Sequence, residues 1–331
     1  MLYVTTRTDC ETFTAQRALS ENRGPDGGLY LPFQRPVLDQ LGPSMNQAVA
    51  QVLNLLFQAR LTAWDVDFTV GRYPVRLVQL RQKIIMAEAW HNPQWTFSSM
   101  VKNLSDLIAG RDQPVTGWTR IAVGIAVLAG MLAELKSEGL QEKVDISLVS
   151  GDFFGPISAW YGRSWGLPIG NIICCCNENN SLWDLLTQGQ LRTDAVCIPT
   201  GIPQADVVVP SQLERLIFGA GGRGETERYL ACCRRGGMYC PEEDTLSSLR
   251  EGLYASVVSS QRMERTIRGA YGTHGYLLSR PSALAYGGLL DYRAKTGAIR
   301  PTLVLTGESP MLDGAFVAKA LGITEEKLKT L

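Results

Sequence analysis

The residues with the most evident capacity for chemistry lie in one short segment, residues 91–99, which reads His-Asn-Pro-Gln-Trp-Thr-Phe-Ser-Ser. An imidazole such as His91 can activate a serine hydroxyl such as that of Ser98 or Ser99 for nucleophilic attack. A hydrolase of this kind also needs an Asp or Glu that orients the histidine, and the spacing indicates none. Neither serine stands in a Gly-x-Ser-x-Gly context. The segment by itself therefore does not predict a hydrolase.

Two carboxylates follow apolar runs that read as strands. Asp152 comes shortly after residues 144–149, and Glu178 comes directly after residues 167–176. The carboxyl ends of parallel strands meet at one edge of a sheet, where ligands usually bind. A carboxylate pair there could do acid–base work, but a capping or loop-bonding role is the better interpretation of Asp152.

The cysteines and histidines do not predict a metal site. The eight cysteines include Cys174, Cys175 and Cys176 in a row, with no CxxC pair of the kind found in zinc ribbons. Free cysteine packs as a small apolar residue, so this cluster is expected to be buried in a strand. The only histidines are His91 and His274.

Composition excludes several classes of protein. The chain has 331 residues, of which 45% are apolar and 19% charged, with 32 basic and 32 acidic residues. These values are typical of a globular protein large enough for two lobes. A balanced charge gives no reason to expect nucleic acid or an anionic membrane as a partner. The first residues lack the pattern of a signal peptide, so a cytoplasmic protein is expected.

A strand–helix–strand unit indicates the fold class. Residues 144–149 read as a strand, residues 167–176 contain a continuous apolar run typical of strands covered on both faces, and residues 156–165 between them read as a helix. The expected fold is therefore α/β with a mostly parallel sheet and flanking helices. Two more strands are predicted at residues 2–6 and 302–306. Periodicity predicts further helices at residues 13–19, 45–61, 82–89, 100–109, 118–139, 181–188, 212–219, 241–258 and 313–320. The glycine-rich residues 219–224 are expected to form a flexible loop.

Four segments, in order, resemble the threonine synthase family. Residues 25–32 read Pro-Asp-Gly-Gly-Leu-Tyr-Leu-Pro, and residues 150–153 read Ser-Gly-Asp-Phe, followed by Gly-Leu-Pro-Ile at 166–169. Residues 177–180 read Asn-Glu-Asn-Asn, and residues 305–310 read Leu-Thr-Gly-Glu-Ser-Pro. The segment at 91–99 is similar to the family's His-Gly-Pro-Thr-x-Ala-Phe-Lys-Asp. The resemblance implies a fold-type II pyridoxal phosphate enzyme that acts on O-phosphohomoserine.

The departures from that family fall on the cofactor. Ser98 stands where the family has the lysine that forms the Schiff base, and a hydroxyl cannot form an imine. Lys102, one helical turn further on, is a weak substitute, and Lys83 a weaker one. The chain also passes directly from Thr116 to a segment that follows the family's mobile subdomain, so much of that subdomain is expected to be missing.

Two binding regions are degenerate by the same comparison. The family's phosphate loop would comprise Ser150, Gly151, Asp152, Phe153, Phe154 and Gly155. Asp152 replaces an asparagine and would repel a phosphate, and Phe154 replaces a glycine and would obstruct close approach. The residue that contacts the ring nitrogen would fall at Thr306 or Gly307. No bound cofactor is therefore expected.

The sequence predicts three units, which are a threonine-synthase-like N-terminal unit at 1–75, a truncated remnant of the lysine-bearing subdomain at 76–117, and a large α/β domain at 118–331. The favoured function is that of a pseudoenzyme whose core serves as a binding or regulatory module, with a protein partner or a homo-oligomer as its expected assembly. An active threonine synthase or related lyase is one alternative. A repurposed small-molecule-binding protein without pyridoxal phosphate is the other.

Overall fold

A computed structural model describes residues 1–8, 10–91, 96–111 and 113–331. The strands are β1 (Leu2–Thr5), β2 (Phe13–Thr14), β3 (Tyr30–Pro32), β4 (Arg76–Leu80), β5 (Ile84–Glu88), β6 (Val144–Val149), β7 (Ile169–Cys176), β8 (Leu191–Arg192), β9 (Met238–Tyr239), β10 (Leu253–Val257) and β11 (Thr302–Thr306). The helices are α1 (Ala15–Ser20), α2 (Met45–Phe57), α3 (Ala63–Val70), α4 (Phe97–Ala109), α5 (Gly117–Ser137), α6 (Phe154–Ser164), α7 (Ser181–Gln188), α8 (Leu213–Arg235), α9 (Glu243–Arg250), α10 (Ser260–His274), α11 (Arg280–Thr296), α12 (Gly314–Leu321) and α13 (Glu325–Leu328), with a 3-10 turn at Pro310–Asp313.

A six-stranded sheet of order β10-β7-β6-β11-β5-β4 forms the centre of the fold. All neighbouring strands run parallel except β4, which is antiparallel to β5 at one edge. The predicted α/β class with a mostly parallel sheet is confirmed.

The sheet is apolar on both faces because successive side chains of a strand point to opposite sides. In β7, Cys174 and Cys176 belong to one core and Cys175 to the other. The first core also contains α2, α5 and α6, and the second contains α10, α11 and α12. The cysteine cluster is buried as predicted.

Helix α5 is the central helix of the first core. It is the one helix among the described residues that is long and apolar enough to cross a membrane, and 83% of its most apolar window is buried inside the protein. Its length and apolarity are therefore accounted for by packing, chiefly against α2 and α6. Tyr161 and Trp165, in and just after α6, are also buried in this core, and Trp160 is partly buried against it.

The N-terminal residues form a separate small sheet of order β2-β1-β3. It is joined to the large core by contacts such as the edge-to-face pair of Tyr3 and Trp118, whose ring centroids are 5.8 Å apart. Strands β4 and β5 lie in the same sheet as strands from residues 118–331. The domain boundaries drawn from the sequence stay a prediction.

Three element predictions were wrong. Residues 82–89, predicted as a helix, contain strand β5, whose five residues are all buried between β4 and β11. A short apolar run buried on both faces carries no periodicity that separates a strand from a helix. Residues 241–258 divide into α9 and β10 rather than one helix. Residues 219–224 lie inside α8, which bends at Gly222, where φ is 72°.

Candidate functional site

The loop predicted as a phosphate cradle lies at the carboxyl end of β6 and leads directly into α6. Ser150 is buried, and its N–H donates to the carbonyl of Cys175 on the neighbouring strand. Phe153 begins the helix with φ of 72°, a left-handed conformation that is costly for a residue with a Cβ, and its ring is buried in the core. The corner is therefore built around a buried phenyl ring rather than an open glycine-rich backbone.

The carboxylate of Asp152 is bound by the protein itself. Its oxygens accept hydrogen bonds from the N–H and the hydroxyl of Ser211, at 2.5 Å and 2.6 Å. Ser211 directly precedes the segment that enters α8, so Asp152 ties this loop to the start of another helix. This is the loop-bonding role that the sequence favoured over acid–base work.

A covering segment, residues 198–211, lies against the same loop. A Cβ added to Gly151, whose φ is +46°, would come within 2.6 Å of the carbonyl oxygen of Gln204. The side chain of Gln204 donates to Glu308, after β11, at 3.2 Å. The backbone of the covering segment thus contacts the loop after β6, and its side chain reaches the turn after β11.

The segment after β7 holds the covering segment from the other side. Asn177 donates to Thr200 at 2.7 Å and to Asp206 at 2.8 Å. Asn179 accepts from the N–H of Ile198 at 2.8 Å and donates to its carbonyl at 2.8 Å. The Asn-Glu-Asn-Asn motif therefore serves here to anchor a loop of the same chain.

The first turn of α6 offers an anion few donors and no free cation contact among the groups described here. Pro156, in that turn, has no N–H to donate. The guanidinium of Arg120 lies 4.7 Å from the ring centroid of Phe154, so the contact made by this cation is with an aromatic face. Helix N-termini bind phosphate through free N–H groups and close backbone approach, and this loop instead presents the Asp152 carboxylate and the Phe154 ring.

The predicted lysine position and its substitutes are dispersed. Ser98 lies on the first turn of α4. Lys102, on the same helix, forms an ion pair with Asp106 at 2.6 Å on the helix surface. Lys83 pairs with Glu142 at 2.8 Å and precedes β5. It therefore lies at the amino end of the strands, opposite the loop after β6.

The threonine predicted to contact the ring nitrogen, at the end of β11, is hydrogen-bonded within the sheet. The hydroxyl of Thr306, buried at the end of β11, donates to the carbonyl of Ala87 on β5 at 2.7 Å. Gly307 borders open space, since a Cβ there would meet no atom within 4 Å. The Nδ1 atom of His91 lies 2.9 Å from the carbonyl oxygen of Glu88, while residues 92–95 lie outside the described part of the chain.

Sequence reasoning missed a polar cluster at the end of β5. Glu88 is 1% exposed, and its carboxylate accepts from Tyr276 at 2.6 Å and from Arg76 at 2.6 Å. Burial, followed by the bond to Glu88, raises the pKa of Tyr276, which keeps its hydroxyl protonated as a donor. A carboxylate that ends an apolar strand was the available signal, and the helix assignment of residues 82–89 concealed it.

Other reactive groups are used structurally. Ser164 stands in a Gly-x-Ser-x-Gly sequence, but it ends α6 and donates to the carbonyl of Tyr161 at 2.9 Å, whereas a nucleophile of that motif sits between a strand and a helix. Burial raises the pKa of Cys175 to about 12 and of Cys176 to about 11, so both thiols are neutral near pH 7. Among the described residues, no group of three His, Cys, Asp or Glu could hold a metal ion.

A cavity of about 350 Å³ lies beside the segment after β7. Glu178 and Asp184 line it together with Arg192 and Met238. One oxygen of Glu178 is buried without a hydrogen-bond partner among the described residues, and partial burial raises the pKa of Asp184. Polar and apolar groups both line the cavity, which is separate from the loop that Asp152 closes.

Comparison with known proteins gives local similarity in sequence and similarity over the whole fold. The chain is 27% identical over 176 residues to the human protein threonine synthase-like 1, and 25% identical over 169 residues to the threonine synthase of Pseudomonas aeruginosa. These matches cover 51% and 50% of the chain but 23% and 35% of the two relatives, so the matched part spans well under half of their length. No protein-family model matches the chain.

Solved structures extend the similarity to the entire fold. The pyridoxal-phosphate-bound threonine synthase from Brucella melitensis superposes with a TM-score of 0.83 at 19% identity, covering 98% of this chain and 92% of that one. Threonine synthase from yeast gives 0.81 at 17% identity, covering 100% and 94%. At such identities the superpositions establish the fold alone, and the predicted loss of the mobile subdomain stays a prediction.

Proposed function

We propose that this chain, which is similar to threonine synthases and to threonine synthase-like 1, is a pseudoenzyme of that family that does not use pyridoxal phosphate. Its α/β core is retained as a binding or regulatory module in the cytoplasm, with a protein partner or a second copy of the chain as its assembly. The family cofactor requires an amine for the Schiff base and a cradle for the phosphate, and the residues present here do not fit either requirement.

The proposal rests mainly on one observation: the loop that would hold the cofactor phosphate is covered by residues 198–211 of the same chain. A phosphate dianion at this loop would face the carboxylate of Asp152, which is already held by Ser211. The carbonyl of Gln204 lies against Gly151, on the backbone that a cradle would have to expose. Two anions at contact distance repel by several kcal/mol where solvent is poor, so this arrangement supports a site that is filled by the chain.

The placement of the lysines supports the same conclusion. Ser98 has no amine, Lys102 forms an ion pair with Asp106, and Lys83 lies at the opposite edge of the sheet. An active lyase would need one of these amines at the carboxyl edge. The cavity beside Glu178 favours small-molecule binding without pyridoxal phosphate as the second candidate function.

The proposal predicts that the purified protein does not release phosphate from O-phosphohomoserine, because no residue at the loop can start the chemistry. The assay measures phosphate release with and without added pyridoxal phosphate, and the Pseudomonas aeruginosa threonine synthase serves as the positive control. Phosphate release that depends on the cofactor and is lost in Lys102→Ala would show that the protein is an enzyme after all.

A further inference from the structure

Strand β4 lies at one edge of the central sheet, with one of its two sides open. It pairs with β5 along its whole length without a bulge, and β5 is its main packing neighbour. Among the described residues, no backbone N–H or carbonyl of β4 bonds to a group outside that ladder. Because an antiparallel strand directs alternate backbone groups to each side, the open side of β4 carries donors and acceptors without a partner strand.

The sequence of β4 does not protect this open side. Proteins usually protect the edge of a sheet with a proline, a bulge or a charged side chain. Strand β4 contains no proline, and its one charged residue, Arg76, donates to Glu88 on β5 at 2.6 Å. Glu88 is directly opposite Arg76 in the ladder, so this ion pair holds the guanidinium towards β5 and away from the open side.

The apolar side chains of β4 are incompletely buried on both faces of the sheet. Leu77 packs against the first core, Val78 and Leu80 pack against the second, and all three are only half-buried. A strand placed beside β4 would cover them further, because side chains of neighbouring strands on one face lie about 4.5–5.5 Å apart. The open side therefore favours an extended segment with apolar residues at its centre.

Two exposed cations flank the strand. Arg72 precedes β4 and Arg81 directly follows it. Arg72 lies over the ring of Tyr73, 5.6 Å from its centroid, and within the described part of the chain neither guanidinium has a carboxylate partner. A second copy of the chain would bring two sets of these cations to one seam, where like charges repel. Charge complementarity therefore favours an acidic partner over a second copy.

We propose that the open side of β4 binds an extended segment of a partner protein, which adds to the central sheet as a further strand. The segment has an apolar centre beside β4 and acidic residues at its two ends, which meet Arg72 and Arg81. Its backbone supplies affinity through the ladder, and its side chains supply specificity. The proposal rests on the binding role proposed above and names the class of partner for it.

Fluorescence polarisation with a labelled peptide tests the proposal on the full chain. The probe is Asp-Glu-Val-Thr-Val-Thr-Val-Glu-Asp, and the matched control peptide has lysine at every acidic position. We expect saturable binding of the acidic peptide, and binding weakened at least about tenfold for the lysine peptide, whose charges would meet like charges. No saturable binding of the acidic peptide, or equal binding of the two peptides, would overturn the proposal.

Matched charge reversals locate the site. Arg81→Glu is expected to weaken binding of the acidic peptide at least about tenfold and to strengthen binding of the lysine peptide, a reversal that misfolding would not produce. Arg35→Glu is the control. Arg35 is likewise exposed and without a carboxylate partner among the residues that the structure describes, but it follows β3 of the separate N-terminal sheet. Equal effects of Arg81→Glu and Arg35→Glu would contradict the assignment to β4.

Sedimentation equilibrium with and without the acidic peptide tests the rival occupant. We expect the peptide not to change the oligomeric state of the protein. A dimer that dissociates when the peptide binds would show that β4 pairs with a second copy, and would overturn the assignment. Failure of peptide binding would refute this inference alone, whereas cofactor-dependent release of phosphate from O-phosphohomoserine would refute the pseudoenzyme proposal and leave peptide binding at β4 standing.

Discussion

Trp118→Ala is expected to lower the free energy of unfolding by about 3–5 kcal/mol, the usual range for removing a large buried aromatic side chain. Trp118 is fully buried at the start of α5, between Tyr3 of the small N-terminal sheet and Trp165 after α6, with ring centroids 5.8 Å and 6.4 Å away. Truncation would leave a cavity where the N-terminal residues meet the main core, because neighbouring side chains relax only partly.

Chemical denaturation followed by circular dichroism measures this effect. Trp64→Ala is the matched control, since Trp64 is 69% exposed and stacks on Phe68, and its loss should cost about 1 kcal/mol or less. Similar midpoints for Trp118→Ala and Trp64→Ala would show that the N-terminal sheet is not packed on α5 as described. The retained scaffold on which the proposed function depends would then be in doubt.

Gly151→Ala is expected to destabilise the protein by about 2–5 kcal/mol, the combined cost of a backbone effect and a steric one. A side chain at positive φ costs about 1–2 kcal/mol, and the added Cβ would lie 2.6 Å from the carbonyl oxygen of Gln204. That oxygen belongs to the backbone, so the covering segment or the loop must shift, at a further cost of about 1–3 kcal/mol.

The control for this variant is Gly275→Ala. Gly275 caps α10 with φ of 65°, and a Cβ added there would meet nothing within 4 Å, so the substitution should cost only the backbone contribution of about 1–2 kcal/mol. The difference in unfolding free energy between the two variants reports the contact of the covering segment with the loop. Equal costs would mean that residues 198–211 do not close the site.

Much of the fold could be predicted from local sequence, because its signals are local. The runs at 144–149 and 167–176 are mostly apolar and give two adjacent parallel strands, and the helix starting near Trp118 is apolar enough to be recognised as buried. The helix prediction for residues 82–89 was wrong because Ile84–Glu88 is buried on both faces. Only its pairing with the neighbouring strands β4 and β11 decides that it is a strand.

The candidate site could be predicted only in part, since its decisive contacts are distant in sequence. The sequence shows Asp152 where the family has an asparagine, but its hydrogen-bond partner Ser211 is 59 residues away. The role of Gln204 follows from the path of the covering segment, and no local pattern in residues 198–211 indicates that path.

The central claim is that this chain does not form a Schiff base with pyridoxal phosphate, and borohydride trapping followed by intact mass measurement and peptide mapping tests it most directly. The purified protein is mixed with an equimolar amount of the cofactor, its absorbance spectrum is recorded, and the mixture is reduced. We predict a colourless protein without a stoichiometric adduct, in contrast to a threonine synthase treated in the same way. A yellow protein whose adduct maps to a single lysine, such as Lys102, would contradict the account.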